Sequence, residues 1–139
     1  ERLGLGSQAV GACEGAMVIT ADYVTQRKAF GSTIAQFQNT RFKMAELRAQ
    51  LELTKAYLKQ CEARFKLGAM TTEEASILKL MSTELQVKLT HECLQLFGGY
   101  GYTEEYPISR FFTDARVQTI YAGTSEIMKE VIARGELGR

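Results

Sequence analysis

TTEEASILKLMSTELQVKLTHECLQLFGGYGY, residues 71–102, carries the start, the two faces and the end of one helix in its side chains. Thr71-Thr72-Glu73-Glu74 has the form of a capping box, in which a hydroxyl and a carboxylate satisfy backbone N–H groups of the first turn. Two apolar lines follow, one through Leu78, Met81, Leu85 and Leu89, the other through Ile77, Leu80, Val87 and Leu94. A helix apolar on two sides packs on two sides, either as the central member of a bundle or with one line against another subunit. Gly98, Gly99 and Gly101 then end it, because glycine tolerates the left-handed backbone and the close approach that a helix end needs.

Toward the N-terminus, residues Glu1 to Phe30 lack proline, and Val10, Met17, Val18 and Val24 recur near helical period, which predicts a helix with a buried stripe. Gly4, Gly11 and Gly15 share one line of it. Such residues cost a helix backbone entropy unless something lies close, so they imply either tight helix packing or a groove for a bound group. Gly31-Ser32-Thr33 breaks the pattern. A second helix is expected from about Gln36 to Leu67, with Met44, Leu47, Leu51, Leu58, Cys61 and Phe65 at three- and four-residue steps, Thr54 filling one position and Gly68 supplying the stop.

Toward the C-terminus, Pro107 suits the first turn of a short helix through Asp114. Gly123-Thr124-Ser125-Glu126 opens a last helix to about Gly135, with hydroxyls in capping position and backbone N–H groups able to meet an anion. No alternating strand pattern is present. The expectation is one all-α domain over residues 1–139, an antiparallel four-helix bundle with short extra C-terminal helices.

Composition narrows the function classes. A formal net charge of +1 builds no field for nucleic acid or an anionic membrane, and no apolar run reaches membrane-span length, so neither partner is expected. Glu1-Arg2-Leu3-Gly4 has no signal-peptide pattern, and a start without methionine suggests a piece of a longer chain. Cys13, Cys61 and Cys93 are far apart and set in apolar helical patterns, which fits reduced core thiols and a reducing compartment. His91 is the single histidine, and no metal site is expected. Gly98, Gly99 and Gly101 do not make a dinucleotide-binding fingerprint, because the spacing is wrong and the preceding strand is missing.

Gln26-Arg27-Lys28-Ala29-Phe30-Gly31, then Gln38, then the block from Gln95 to Lys129 with Gln-Leu-Phe-Gly-Gly-Tyr-Gly-Tyr, Tyr-Pro-Ile-Ser-Arg and Tyr121-Ala122-Gly123-Thr124, resemble the C-terminal domain of the acyl-CoA dehydrogenases in order and spacing. The resemblance covers essentially the whole chain and implies FAD-dependent oxidation of acyl-CoA to 2,3-enoyl-CoA. It implies that Arg27, Phe30 and Gln38 reach the adenine and pyrophosphate part of FAD held largely by a neighbouring subunit. Gln95, Gly98 and Gly99 are their implied partners there, while Thr124 and Glu126 make further FAD contacts. Tyr121 and Arg2 are implied near the bound acyl-CoA, and the glycine line of the first helix would border an acyl chain or flavin ring. By residue type alone, Arg27 is a helix-end arginine, Tyr121 a packed aromatic, and Thr124 with Glu126 an ordinary cap.

Oxidising an acyl thioester requires removal of a proton beside the carbonyl, so a carboxylate must stand in an apolar pocket. Many members of the family carry a glutamate immediately before Gly-Thr, where this chain has Ala122. The long-chain and isovaleryl-type members, which this sequence resembles most in pattern, place the base in a Glu-Arg-Leu on the first helix. Glu1-Arg2-Leu3 occupies that place, making Glu1 the implied base; without the resemblance, Glu1 is a solvated terminal glutamate. The resemblance further implies a homodimer or homotetramer, electron-transfer flavoprotein as acceptor, and a bacterial cytoplasmic or mitochondrial matrix location. A reading of another class is a non-catalytic helical bundle used for assembly, with Ala122 marking a lost base.

Overall fold

The computed structural model describes residues 1–138. The capping box forms as expected: Thr71 Oγ1 accepts from the Glu74 N–H at 3.1 Å, and the Glu74 carboxylate accepts from the Thr71 N–H at 2.8 Å. That N–H first, and the Arg64 guanidinium at 2.6 Å second, hold the Glu74 carboxyl below its usual range. From this cap α3 runs Thr72–Phe97 and packs against every other helix described: α1 (Arg2–Gln26), α2 (Gln38–Lys66), α4 (Pro107–Gln118) and α5 (Ser125–Leu137). It is thus the central member of an all-α antiparallel bundle.

One line of α3, Leu78, Leu85 and Leu89, closes the core against Val10, Cys13 and Met17 of α1 and Leu47, Leu51, Leu58 and Cys61 of α2. Met81 is exposed, and the second line, Ile77, Leu80, Val87 and Leu94, is half-buried. Truncating one of the fully buried leucines to alanine costs about 2–5 kcal/mol. The three cysteines are free and buried, as their apolar setting predicted. Ion pairs Lys43–Glu92 and Lys55–Glu14 tie α2 to α3 and to α1 at the surface. No described helix is long and apolar enough to cross a membrane.

Several expectations need correction. Helix α1 stops at Gln26 instead of reaching Phe30, because Arg27 turns extended (φ −69°, ψ 123°). Lys28–Ala29 (β1) then pairs antiparallel with Ser32–Thr33 (β2), Lys28 opposite Thr33 and Ala29 opposite Ser32. Phe30 (φ 51°) and Gly31 (φ 81°) form the turn, both left-handed as a tight hairpin's twist demands. Strands of two residues leave no alternation to read, so the expectation of no strands fails here. Val18 is 69% exposed because it follows buried Met17 by one step, about 100° around the helix. Phe65 leaves the α2 seam in its last turn and is 60% exposed.

The glycines behave differently from one another. Gly98 ends α3 at φ 61°, ψ −141°, a conformation essentially reserved for glycine. Gly101 serves the close approach, since a Cβ there would lie 2.7 Å from the Leu94 carbonyl oxygen. On α1, Gly15 abuts Phe111 as tight packing requires, but a Cβ at Gly4 or Gly11 would meet nothing within 4 Å. Packing within this chain does not account for those two. Gly6, outside the expected line, is the glycine on which Leu78 sits: a Cβ there would lie 2.6 Å from Leu78 Cγ.

Candidate active site

Two ends of the bundle carry most of the candidate residues. At the end where α1 and α3 begin and α2 finishes, a cavity of about 580 Å³ is lined by Glu1, Arg2, Gly4, Phe65, Met70 and Ala122, among others. Glu1 stands at the N-cap position of α1 without a side-chain bond to it, which leaves its carboxylate as the cavity's one acidic lining group among the described residues. Arg2 is anchored, its Nη1 donating to Ser76 Oγ of α3 at 3.0 Å. Leu3, Phe65, Met70 and Ala75 supply an apolar part of the wall beside the hydroxyl residues Ser7, Thr71 and Thr72. A carboxylate at the edge of such a cleft is suited to proton abstraction once an apolar ligand seals it, because desolvation strengthens the base.

The turn between α4 and α5 brings Ala122 to that cavity. After Gln118 the chain tightens through Ile120 N–H to Val117 O (2.9 Å), then reverses at Ala122 (φ 54°) and Gly123 (φ 104°). Alanine in the left-handed region costs about 1–2 kcal/mol, so surrounding bonds must impose it. Ser125 N–H closes the loop on Thr119 O at 3.1 Å, and the Thr124 hydroxyl accepts from Ile127 N–H at 3.4 Å. A Cβ at Gly123 would lie 2.5 Å from Met128 Cε, so both backbone sign and space require glycine. From α3, Lys79 donates from Nζ to Gly123 O at 2.7 Å although the residue is 0% exposed.

At the opposite end, where α1 finishes, Arg27 borders a cavity of about 490 Å³ with Tyr23, Phe97 and Tyr106. Its guanidinium lies 5.2 Å from the Tyr100 ring centroid, over the face, and Tyr23 stacks on Phe97 at 4.1 Å. Burial pushes the Tyr23 hydroxyl up against the opposing pull of Arg27, and that hydroxyl donates to Phe97 O at 3.3 Å. Gln95 is exposed on the last turn of α3, and a Cβ at Gly98 or Gly99 would meet nothing within 4 Å, so the backbone there is open to a ligand. Gln38, exposed, opens α2 nearby, and Phe30 projects from the hairpin tip, 98% exposed, edge-on to Phe37 at 6.4 Å. Arg27, Phe30, Gln38, Gln95, Gly98 and Gly99 thus share one end of the bundle.

Thr124 and Glu126 belong to neither end. They border a smaller cavity of about 220 Å³ with Glu84 and Arg116, and Glu126 is held below its usual range by its own N–H and then by the Thr124 hydroxyl. Tyr121 is half-exposed, donates to Gln118 Oε1 at 2.6 Å, and does not line the Glu1 cavity. Lys79 and Met70 carry no site reading in the sequence, and Phe65, expected in the α2 seam, lines the Glu1 cavity instead. For Lys79 a signal existed: Ser76, Lys79, Thr83, Gln86 and Thr90 recur at three- and four-residue steps, a buried polar line between two apolar ones.

Residues 1–137 match the family described as acyl-CoA dehydrogenase, C-terminal domain. The long-chain specific acyl-CoA dehydrogenase, mitochondrial, of Mus musculus is 46% identical over 134 residues, covering 96% of this chain and 31% of that protein. An acyl-CoA dehydrogenase from Geobacillus kaustophilus shares the fold with a TM-score of 0.97 at 38% identity, over 99% of this chain and 36% of the other. A glutaryl-CoA dehydrogenase from Mycobacterium smegmatis in complex with FADH2 does so with a TM-score of 0.96 at 25% identity, over 99% and 36%. The chain therefore spans about a third of the length of the relatives it matches. A family pattern running almost end to end, on a bundle that coincides with solved members over nearly all its residues, makes this chain a C-terminal domain of the acyl-CoA dehydrogenase family.

Proposed function

We propose that this domain works within an FAD-dependent acyl-CoA dehydrogenase that oxidises acyl-CoA to 2,3-enoyl-CoA, with Glu1 as the base. The observation that carries the reading is that Glu1 and Ala122, distant in sequence, line one cavity, so a carboxylate delivered from α1 serves the space that a glutamate before Gly-Thr would serve. Glu1 takes the proton from the carbon beside the thioester carbonyl onto a carboxylate oxygen. Arg2, fixed by Ser76, keeps a positive charge beside it, and Leu3, Phe65 and Met70 exclude water once the acyl chain lies against them. Bound FAD would supply the acceptor for the hydride leaving the next carbon. The relative from Mycobacterium smegmatis, in complex with FADH2, supports that choice of cofactor.

The residues present fit such a group. Arg27 offers forked donors for pyrophosphate, Gly98 and Gly99 leave backbone open for its approach, and Gln38 and Gln95 are exposed polar groups close by. Along α1, the Arg27 end lies about 40 Å from Glu1, more than one extended dinucleotide spans. A single cofactor contacted by both kinds of end would therefore be held by residues of two copies of the chain, which supports a homo-oligomer with FAD shared across the contact. Electron-transfer flavoprotein is the acceptor in this reading.

The test is Glu1→Gln in the full flavoprotein carrying this domain. Size and packing are kept while proton acceptance is lost, so flavin and acyl-CoA should still bind and flavin reduction should slow by about a hundredfold or more. An unchanged reduction rate would remove Glu1 as base, and a full protein that takes up no flavin at all would favour the assembly-only reading of this domain.

A further inference from the structure

We propose that Lys79 is a positioning residue: its buried ammonium, bonded to the carbonyl oxygen of Gly123, holds the left-handed Ala122–Gly123 step against the cavity that Glu1 lines. The inference rests on the functional reading of that cavity and adds to it a group on the far side of the turn. Lys79 belongs to the buried polar line of α3, whose three hydroxyls donate within the helix while Gln86 Oε1 is left without a partner. Ser76, Thr83 and Thr90 each return their hydroxyl to the carbonyl four residues back, all at 2.8 Å. Lys79 instead reaches 44 residues along the chain to the turn between α4 and α5.

Burying an ammonium is costly, and a methionine or leucine of similar length would fill the same space without that cost. Stability alone therefore gives no reason for lysine at a fully buried position, whereas a fixed carbonyl does. The turn it reaches is one that needs fixing. Ala122 is left-handed without being glycine, and the Ser125 N–H bond to Thr119 O and the Thr124 cap bracket the step from outside, whereas Lys79 bonds to Gly123 directly. Ser125 also donates through its hydroxyl to the Glu84 carboxylate, one turn of α3 beyond Lys79. A negative charge thus stands near the ammonium, with Arg2 the positive one, so α3 presents an acceptor and a donor to the same loop. Losing the Lys79 donor frees the carbonyl of Gly123 and lets the Ala122 step relax toward ordinary backbone.

Lys79→Met in the full flavoprotein keeps length and apolar contact and removes the donor. Hydrogen exchange of residues 119–126 is expected to accelerate at least about tenfold while α3 from Leu85 to Cys93 stays protected, the signature of local opening. Flavin reduction is expected to fall by about tenfold to a hundredfold with KM for acyl-CoA changed less than about threefold, as misplacement at a reacting site produces. Adding Ala122→Gly, which makes the left-handed step free, should recover part of that loss; a packing defect would not respond. Lys79→Gln, too short to bridge, gives the same comparison should the methionine variant accumulate poorly. Unchanged exchange at 119–126 overturns the proposal, and so does failure of both variants to yield folded flavoprotein, because Lys79 would then serve the fold at large. Faster exchange there alongside an unaffected Glu1→Gln rate would leave the tether standing and remove the base assignment instead.

Discussion

Alanine introduced at Gly4, Gly6 or Gly11 is one substitution on one helix, and the surroundings set opposite signs for it. At Gly11 and Gly4 a new methyl meets nothing within 4 Å, so only the backbone term acts: alanine in a helix interior stabilises by about 0.5–1 kcal/mol relative to glycine. For a domain of this size that raises the thermal midpoint by about 2–4 °C. At Gly6 the same methyl would lie 2.6 Å from Leu78 Cγ and 2.8 Å from its Cδ2. Leu78 is fully buried in the core and the contact falls on its Cγ, not on the far end of a flexible chain, so overpacking of about 1–3 kcal/mol outweighs the backbone gain. The net loss is up to about 2 kcal/mol, or some 6–8 °C. Thermal melts of the 139-residue chain followed by circular dichroism measure all three. Gly6→Ala melting at or above Gly11→Ala would show that the close contact with Leu78 does not govern α1, and the reasoning about the α1–α3 seam would be wrong. Gly4→Ala adds a functional reading, since Gly4 lines the Glu1 cavity and its methyl should impair acyl-CoA use in the flavoprotein while leaving the fold at least as stable.

The remaining expectations concern the thiols and the α3 cap. Burial, followed by neighbouring Cys93 and Glu14, pushes the Cys13 thiol from 9.0 up to about 12, so the folded chain should resist a thiolate-specific reagent at pH 8 and react only as it unfolds. Because that pKa is raised on folding, the stabilising contribution is complete below pH 9 and is lost as pH climbs toward 12; urea midpoints across that window should fall. A Cys13 that titrates normally in the native chain would contradict this. Thr71→Ala removes one half of the capping box and should cost about 1 kcal/mol in the same urea measurement, with Thr71→Ser restoring most of it.

What was readable in the sequence was whatever repeats along one helix or marks its ends. The Thr71–Glu74 cap, the glycine end at Gly98 and the seam through Leu47, Leu51, Leu58 and Cys61 all declare themselves in residue type and spacing. The hairpin after α1 was not readable: its strands are two residues each, and its turn uses Phe30 where asparagine or glycine is the usual sign. Phe65 fits the α2 period but lies beyond the core it would fill, and periodicity carries no information about where a neighbour ends. Lys79 was passed over because a lysine among leucines reads as a surface interruption, and only the partner supplied from residue 123 makes its burial possible. The site itself divides the same way. Resemblance singled out Glu1 and the missing carboxylate at Ala122, but only the fold brings α1's first residue and the α4–α5 turn to one cavity.

Whether Glu1 and residue 122 serve one reacting carbon is tested most directly by the rate of flavin reduction by acyl-CoA in Glu1→Gln, with and without Ala122→Glu. Ala122 already holds the left-handed backbone that any Cβ-bearing residue must adopt there, so glutamate adds a carboxylate without new backbone strain. If both positions face the same reacting carbon, Glu1→Gln loses about a hundredfold or more and the double variant recovers at least about tenfold of it, with flavin content unchanged. A double variant that binds flavin and acyl-CoA yet reduces no faster than Glu1→Gln would contradict the claim.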